Sequence, residues 1–351
     1  MDSPKMNMLQ ALDKLSNIDV DWMDLGFIQS TQFVFHDMTS NQFIVDAALR
    51  QPETRPFIEQ AVRELPGSAW LDVYTRAAVL ICKSVLPHIT GRVFLQTRTC
   101  HAYDAQATLL YARQIAAEMD RAGIGLDRYG IKIPITGPAM LAARDLQGDG
   151  ITVLGTTLFN VPQAIAASQA GCFYVAPYFN GMFLCIVEKN GADTSMGIEL
   201  LAHSDSSVWP QSDDPATDHP MAATVSAMNA AFASLHTTTG RDQPRIKLAS
   251  LLSTAECIAA AELRCHSVTI APKLLAALEK MPAGPVEARE PDKVDAEWLK
   301  TDLLADGGKP LDIAVDQDKD ARRKLDYALE FFDKYEKASR ELVEGIMAEL
   351  Q

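Results

Sequence analysis

The side chain hardest to reconcile with an inert role is Lys132, in the run YGIKIPI at residues 129–135. In an extended chain successive side chains alternate between faces. Ile131, Ile133 and Ile135 therefore share one face, and Gly130, Lys132 and Pro134 the other. With the isoleucines turned toward covering helices, Lys132 points into the interior. A charged ammonium is costly to desolvate there, so its pKa falls. The free amine that attacks a carbonyl becomes more abundant. The competing account is a lysine neutralised by a carboxylate. Lys247, in RIKLAS at 245–250, is the rival strand lysine. If Ser250 faces inward at its strand end, Leu248 shares that face and Lys247 does not, which favours Lys132.

Other polar residues fall at the ends of strand-like runs. Asp21 closes the first, with Val20 and Trp22 on the opposite face. Thr39 and Asn41 follow the second, Gln96 lies near the end of the third, Thr156 near the end of the fifth, Tyr178 after the sixth and Ser250 at the end of the seventh. Where strand ends converge on one mouth, these groups surround one carbonyl. Taken singly, each is equally a helix cap or a loop hydrogen bond, so their weight is joint.

The elements that must position them alternate along the chain. Strand patterns occur at 17–22, 32–37, 91–97, 129–135, 151–158, 172–177, 245–250 and 266–271. Several are continuously apolar, as in strands covered on both faces. Helical spacing occurs at 103–122, 138–146, 161–170, 254–263 and 273–280. Thr136, Asn160, Ser253 and Pro272 stand at helix starts, and Gly123, Gly150 and Gly171 at helix ends. Eight strands separated by helices predict an α/β fold, a (β/α)8 barrel forming a single domain over residues 1–351. A doubly wound sheet would need a Gly-rich turn after the first strand, and Asp24-Leu-Gly-Phe27 is not one. Residues 204–220 read as a surface loop before a helix near 222–235. Residues 318–351 read as a long helix whose stripe of Leu325, Leu329, Phe332, Leu342, Val343, Ile346 and Leu350 docks on the barrel or on a second subunit, making a homodimer plausible.

With 32 basic and 46 acidic residues the net charge is −14, which argues against nucleic acid or an anionic membrane as a partner. It does not decide whether a phosphorylated substrate binds, because one local cation suffices. Cys82, Cys100, Cys172, Cys185, Cys257 and Cys265 form no CxxC pair and read as buried apolar residues in a reducing compartment. No apolar run reaches membrane-spanning length, so a cytoplasmic protein is expected. No histidine–carboxylate cluster suggests a metal, and no cofactor is expected.

Residues 130–179, GIKIPITGPAMLAARDLQGDGITVLGTTLFNVPQAIAASQAGCFYVAPYF, resemble the transaldolase family of class I aldolases. Asp21-Trp-Met-Asp24, Asp37-Met-Thr-Ser-Asn41 and Thr269-Ile-Ala-Pro272 resemble it too, so the likeness runs over nearly the whole chain. It implies a (β/α)8 barrel with Lys132 as the Schiff-base lysine. It also implies Asp21 as a proton-transfer residue, Asn41 as a substrate-orienting amide and Thr156 as a holder of the catalytic water.

The departures narrow this. The family's glutamate on strand three is Gln96, and its phenylalanine after strand six is Tyr178. Both changes resemble the fructose-6-phosphate aldolase branch, where a glutamine, a threonine and a tyrosine hold the catalytic water. The family's phosphate arginines fall at Gly181 and Leu252, its strand-five asparagine at Leu154 and its strand-six serine at Ala176. Thr39, Asn41, Leu154, Ala176 and Ser250 are thus the candidate substrate-binding set, and Lys132, Asp21, Tyr178, Gln96 and Thr156 the catalytic one. The expectation is a Schiff-base aldolase acting on an unphosphorylated ketone and aldehyde in specialised biosynthesis. A true transaldolase working on sugar phosphates and a non-catalytic barrel are the alternatives.

Overall fold

A computed structural model describes residues 6–180, 212–291 and 297–350. Its sheet has seven strands: β1 Asn17–Val20, β2 Val93–Gln96, β3 Tyr129–Pro134, β4 Val153–Leu158, β5 Tyr174–Pro177, β6 Arg245–Leu248 and β7 Ser267–Ile270. Their order is β1-β7-β6-β5-β4-β3-β2, and every pairing is parallel. Parallel neighbours require crossovers, and helices supply them. Ala105–Arg121 joins β2 to β3, Gly137–Gly148 joins β3 to β4, Val161–Gln169 joins β4 to β5, and Thr254–Glu262 joins β6 to β7. Thr136, Asn160 and Ser253 cap helix starts as expected.

The pattern at 32–37 is corrected. No strand forms there; Phe35 and Met38 make only isolated bridges. The segment still binds both edge strands. Val20 N donates to Asp37 O at 2.9 Å, and Met38 N to Arg92 O at 2.9 Å. Carboxylates explain the missing ladder. Asp37 Oδ1 accepts from Arg92 N at 2.6 Å, and Asp19 Oδ1 accepts from Asp37 N at 3.1 Å. Side-chain oxygens thus stand where strand carbonyls would. Because one segment touches both β1 and β2, the sheet is curled and has an inner face.

That face has its own packing. Phe94, Leu154, Tyr174 and Ala176 form a small apolar cluster separate from the main core, which lies between strands and helices and includes Ile131, Ile133 and Ile135. The alternation read from YGIKIPI therefore holds. Gly130 is required: a Cβ there would lie 2.3 Å from the Phe94 ring.

The C-terminal helix, Lys319–Glu349, buries Leu325, Phe332, Val343 and Ile346. Arg98 Nε donates to its Glu336 at 2.8 Å and Ser339 Oγ to Asp46 at 3.0 Å. Leu350 departs from the expected stripe and is exposed, because it follows the last helical turn. Cys100 also departs from expectation. It is exposed in a 3-10 turn, while Cys82, Cys172, Cys257 and Cys265 are buried; Cys185 lies outside the described residues. Among the described residues no helix is long and apolar enough to cross a membrane.

Candidate active site

Lys132 is 3% exposed on the inner face of β3, and its Nζ donates to the Ser40 carbonyl at 3.2 Å. No carboxylate bonds to it among the described residues. Burial pulls its pKa below the ordinary value, and Asp21 opposes this only through space. Asp21, two residues beyond Asp19 on β1's inner face, accepts from Thr39 Oγ1 at 2.8 Å. Burial raises its pKa, with Lys132 the main opposing influence. Lysine and acid thus each sit on the side of their ordinary value that favours the neutral form.

On the neighbouring strand β4, Leu154 is in register with Lys132 and Thr156 with Pro134, so alternation puts Thr156 on the inner face above Leu154. Beyond it the β4–β5 register shifts between Gly155 and Leu158, where Thr157 takes φ 53°. Thr156 Oγ1 meets Tyr178 Oη at 3.1 Å, and the Tyr178 ring centre is 5.9 Å from Lys132 Nζ. Burial pushes the phenol far above its usual range, so it stays protonated. Gln96 is paired in register with Lys132, and its Nε2 donates to Gln42 Oε1 at 2.8 Å.

The structure therefore brings Lys132, Asp21, Thr39, Thr156, Tyr178 and Gln96 to neighbouring positions on one inner surface. Asn41 spends its oxygen as a helix cap, accepting from Ile44 N at 3.0 Å, which leaves its NH2 group for other partners. Ser250 donates to the Asn180 carbonyl at 2.9 Å. Leu154 and Ala176 are 0% and 3% exposed in the inner cluster, two residues below Thr156 and Tyr178. They floor the site rather than line an open pocket. Leu252 carries no cation, and its N–H is taken by Glu256 Oε2 at 2.7 Å. Gly181 lies outside the described residues.

The phase argument for Lys247 is corrected. Its side chain points inward, bonding Asp19 at 2.6 Å, Asp37 at 2.7 Å and Ser267 Oγ at 3.2 Å. The inference from Ser250 fails because Ser250 takes φ 62°, which breaks strand alternation after Ala249. Despite burial, the two carboxylates raise the pKa of Lys247, so it stays charged. Of the two strand lysines, the rival is the one neutralised by carboxylates.

Sequence reasoning missed Asp19 and Asp37, although Asp19 shares the parity of Asp21, and Asp37 that of Thr39. It also missed Asn180, whose Nδ2 donates to Glu256 at 2.8 Å and whose Oδ1 lies 3.2 Å from His219 Nε2. No spacing signal marks that trio. Among the described residues, one group has metal-ligand proximity: Cys100, Asp333 and Glu336. Arg98 already bonds Glu336, and Lys337 lies 2.5 Å from Asp333, so both carboxylates are ion-paired.

Residues 18–342 match the family model described as transaldolase/fructose-6-phosphate aldolase. A protein of Marinomonas sp. (strain MWYL1) described as "Transaldolase" is 31% identical over 214 residues, covering 58% of this chain and 63% of that protein. One of Trichormus variabilis (strain ATCC 29413 / PCC 7937), also described as "Transaldolase", is 29% identical over 197 residues, covering 54% and 59%. The chain thus spans about three-fifths of the length of these relatives. With the match running over most of its length, the chain belongs to the transaldolase/fructose-6-phosphate aldolase family.

Proposed function

We propose that the chain is a class I aldolase that makes or breaks a carbon–carbon bond through an enamine on Lys132. The observation carrying this is the contrast between two buried lysines. Lys247 is held charged by two carboxylates, whereas among the described residues Lys132 has only a backbone carbonyl as bonded partner, and its pKa is lowered. Neutral Nζ attacks a ketone carbon. Transfer of one proton from nitrogen to oxygen gives a carbinolamine. Protonation of its hydroxyl and loss of water leave an iminium, which draws in the electron pair of a neighbouring bond. If a C–H bond breaks, Asp21 takes the proton. If a C–C bond breaks, Asp21 takes the proton of the β-hydroxyl and an aldehyde leaves. The reverse adds the enamine to an aldehyde. Tyr178, through a water shared with Thr156 and Gln96, supplies and recovers protons on the opposite side.

The substrate in this reading is an unphosphorylated carbonyl compound of specialised biosynthesis, handled in the cytoplasm. At the end of β6 the Leu252 N–H is occupied by Glu256, a carboxylate where a phosphate would need a cation. Residues 35–39 are read as the eighth stave closing a (β/α)8 barrel, with the C-terminal helix as part of the same domain. Transfer between sugar phosphates is the second reading, favoured by the descriptions of the relatives. Borohydride trapping with a panel of small ketones and aldehydes, followed by peptide mass analysis, tests the mechanism. An adduct on Lys132 is expected. An adduct on Lys247, or none with any carbonyl, defeats it. Turnover of sugar phosphates in preference to free carbonyls would favour the second reading.

A further inference from the structure

The fold fixes which way the Gln96 amide points. Gln96 is 6% exposed, and strand alternation puts it on the inner face with Phe94. Gln42, 2% exposed, opens the helix Gln42–Leu49. Its Nε2 lies 2.8 Å from Thr97 O and 3.5 Å from Gln96 O. Backbone carbonyls only accept, so Gln42 must turn its NH2 group toward them and its oxygen toward Gln96. Gln96 Nε2 donates to that oxygen at 2.8 Å. A flipped Gln96 would set two acceptors face to face at that distance. Gln96 Oε1 is thereby left as a buried oxygen with no protein partner among the described residues.

We propose that Gln42 is a positioning residue that locks Gln96 so that its amide offers the reacting region an acceptor only. The proposal rests on the Lys132 reading and adds a direction to its hydrogen bonds. Any water or substrate hydroxyl meeting Gln96 must donate to it. That keeps the visitor's lone pairs free to accept from the Thr156–Tyr178 hydroxyl pair. It also means that a carboxylate at position 96 would face Gln42 Oε1 and be repelled, so glutamine at 96 and glutamine at 42 act as a pair.

The test follows α-hydrogen exchange of hydroxyacetone in D2O on the full chain, with borohydride trapping in parallel. Gln42→Met removes the lock. Its KM for the ketone should stay within about threefold while kcat falls about tenfold or more. Gln42→Glu is the conservative variant: its carboxyl presents an acceptor to Gln96 Nε2 in either protonation state, so the lock persists. Its kcat should stay within about threefold of the unaltered protein where that of Gln42→Met falls. The titratable groups lining the space behind Gln42 are Tyr74 and Tyr111, from the helices Trp70–Val85 and Ala105–Arg121. Burial raises both, so they stay neutral; Glu336, Asp46 and Arg98 are the charges acting on Tyr74. Asp21 and Lys132 are the charged groups of the site itself.

A Gln42→Met kcat within about twofold of the unaltered protein while Gln96→Ala is impaired tenfold overturns the proposal. Full exchange in Gln96→Ala, or a Gln42→Glu kcat that falls as far as that of Gln42→Met, does the same. If Gln42→Met does not fold, Gln42→Glu decides alone, a kcat within about threefold supporting the proposal and a loss of about tenfold or more overturning it. Failure of the Lys132 reading is separately visible, because the unaltered protein then gives no Lys132 adduct.

Discussion

At the scale of the residue, Lys132 and Asp21 set each other's titration. Only the neutral amine attacks, so kcat/KM should rise with pH through the Lys132 pKa and then level off. Because burial lowers that pKa from its ordinary 10.5, the plateau should come earlier than for a solvated lysine. Asp21 works against the lowering. Asp21→Asn should therefore move the rising limb to lower pH while the plateau falls about 100-fold or more through loss of proton transfer. A limb that does not move would show that Asp21 does not act on Lys132. Tyr178→Phe removes the only hydroxyl bonded to Thr156 Oγ1 among the described residues. Aldol turnover should drop about 100-fold while trapping of the ketone at saturation persists. Equal turnover removes Tyr178 from the proton path.

At the scale of the element, β1, β6 and the 35–39 segment are tied by one buried ion cluster. Lys247→Met leaves Asp19 and Asp37 without their cation and should cost about 3–5 kcal/mol in denaturant unfolding. A loss under about 1 kcal/mol would mean that the carboxylates have other compensation. Asp19 adds a pH term. Burial pushes its folded pKa up to about 7 from 3.8, so the folded state holds a proton that the unfolded state releases. Its contribution to stability is greatest below pH 3.8 and declines as pH rises toward 7. Asp19→Asn should flatten the stability profile over that window, and an unchanged slope would assign the proton elsewhere. The same cluster explains why one strand was misread. The apolar run Phe33-Val34-Phe35 within 32–37 is a strand-like pattern, but Asp37 and Asp19 put carboxylate oxygens into the ladder. β3, by contrast, was legible because its isoleucines alternate without a polar competitor.

At the scale of the whole molecule, the net charge of −14 says little about phosphate, and the end of β6 says more. Leu252→Arg should tighten inhibition by inorganic phosphate about tenfold or more, as a charge-assisted bond allows. No change would place the anion-binding deficit elsewhere. The helix Lys319–Glu349 ties the chain's end to its beginning, through Glu336 on Arg98 and Ser339 on Asp46. Its apolar stripe was readable, but most of its partners were not, since the helices Gln42–Leu49, Arg55–Glu64 and Trp70–Val85 lie more than 200 residues away.

The sequence by itself determined the alternation of elements, the inward face of β3 and the identity of the residues at strand ends, because these follow from local periodicity. It did not determine which lysine is paired. That depends on Asp19 and Asp37 reaching Lys247 across 228 and 210 residues, and on a left-handed Ser250 that breaks the local phase. Only the tertiary structure decided that, among the described residues, Lys132 carries no carboxylate bond. The desolvation that lowers its pKa belongs to the enclosed inner face as a whole and not to any motif within it.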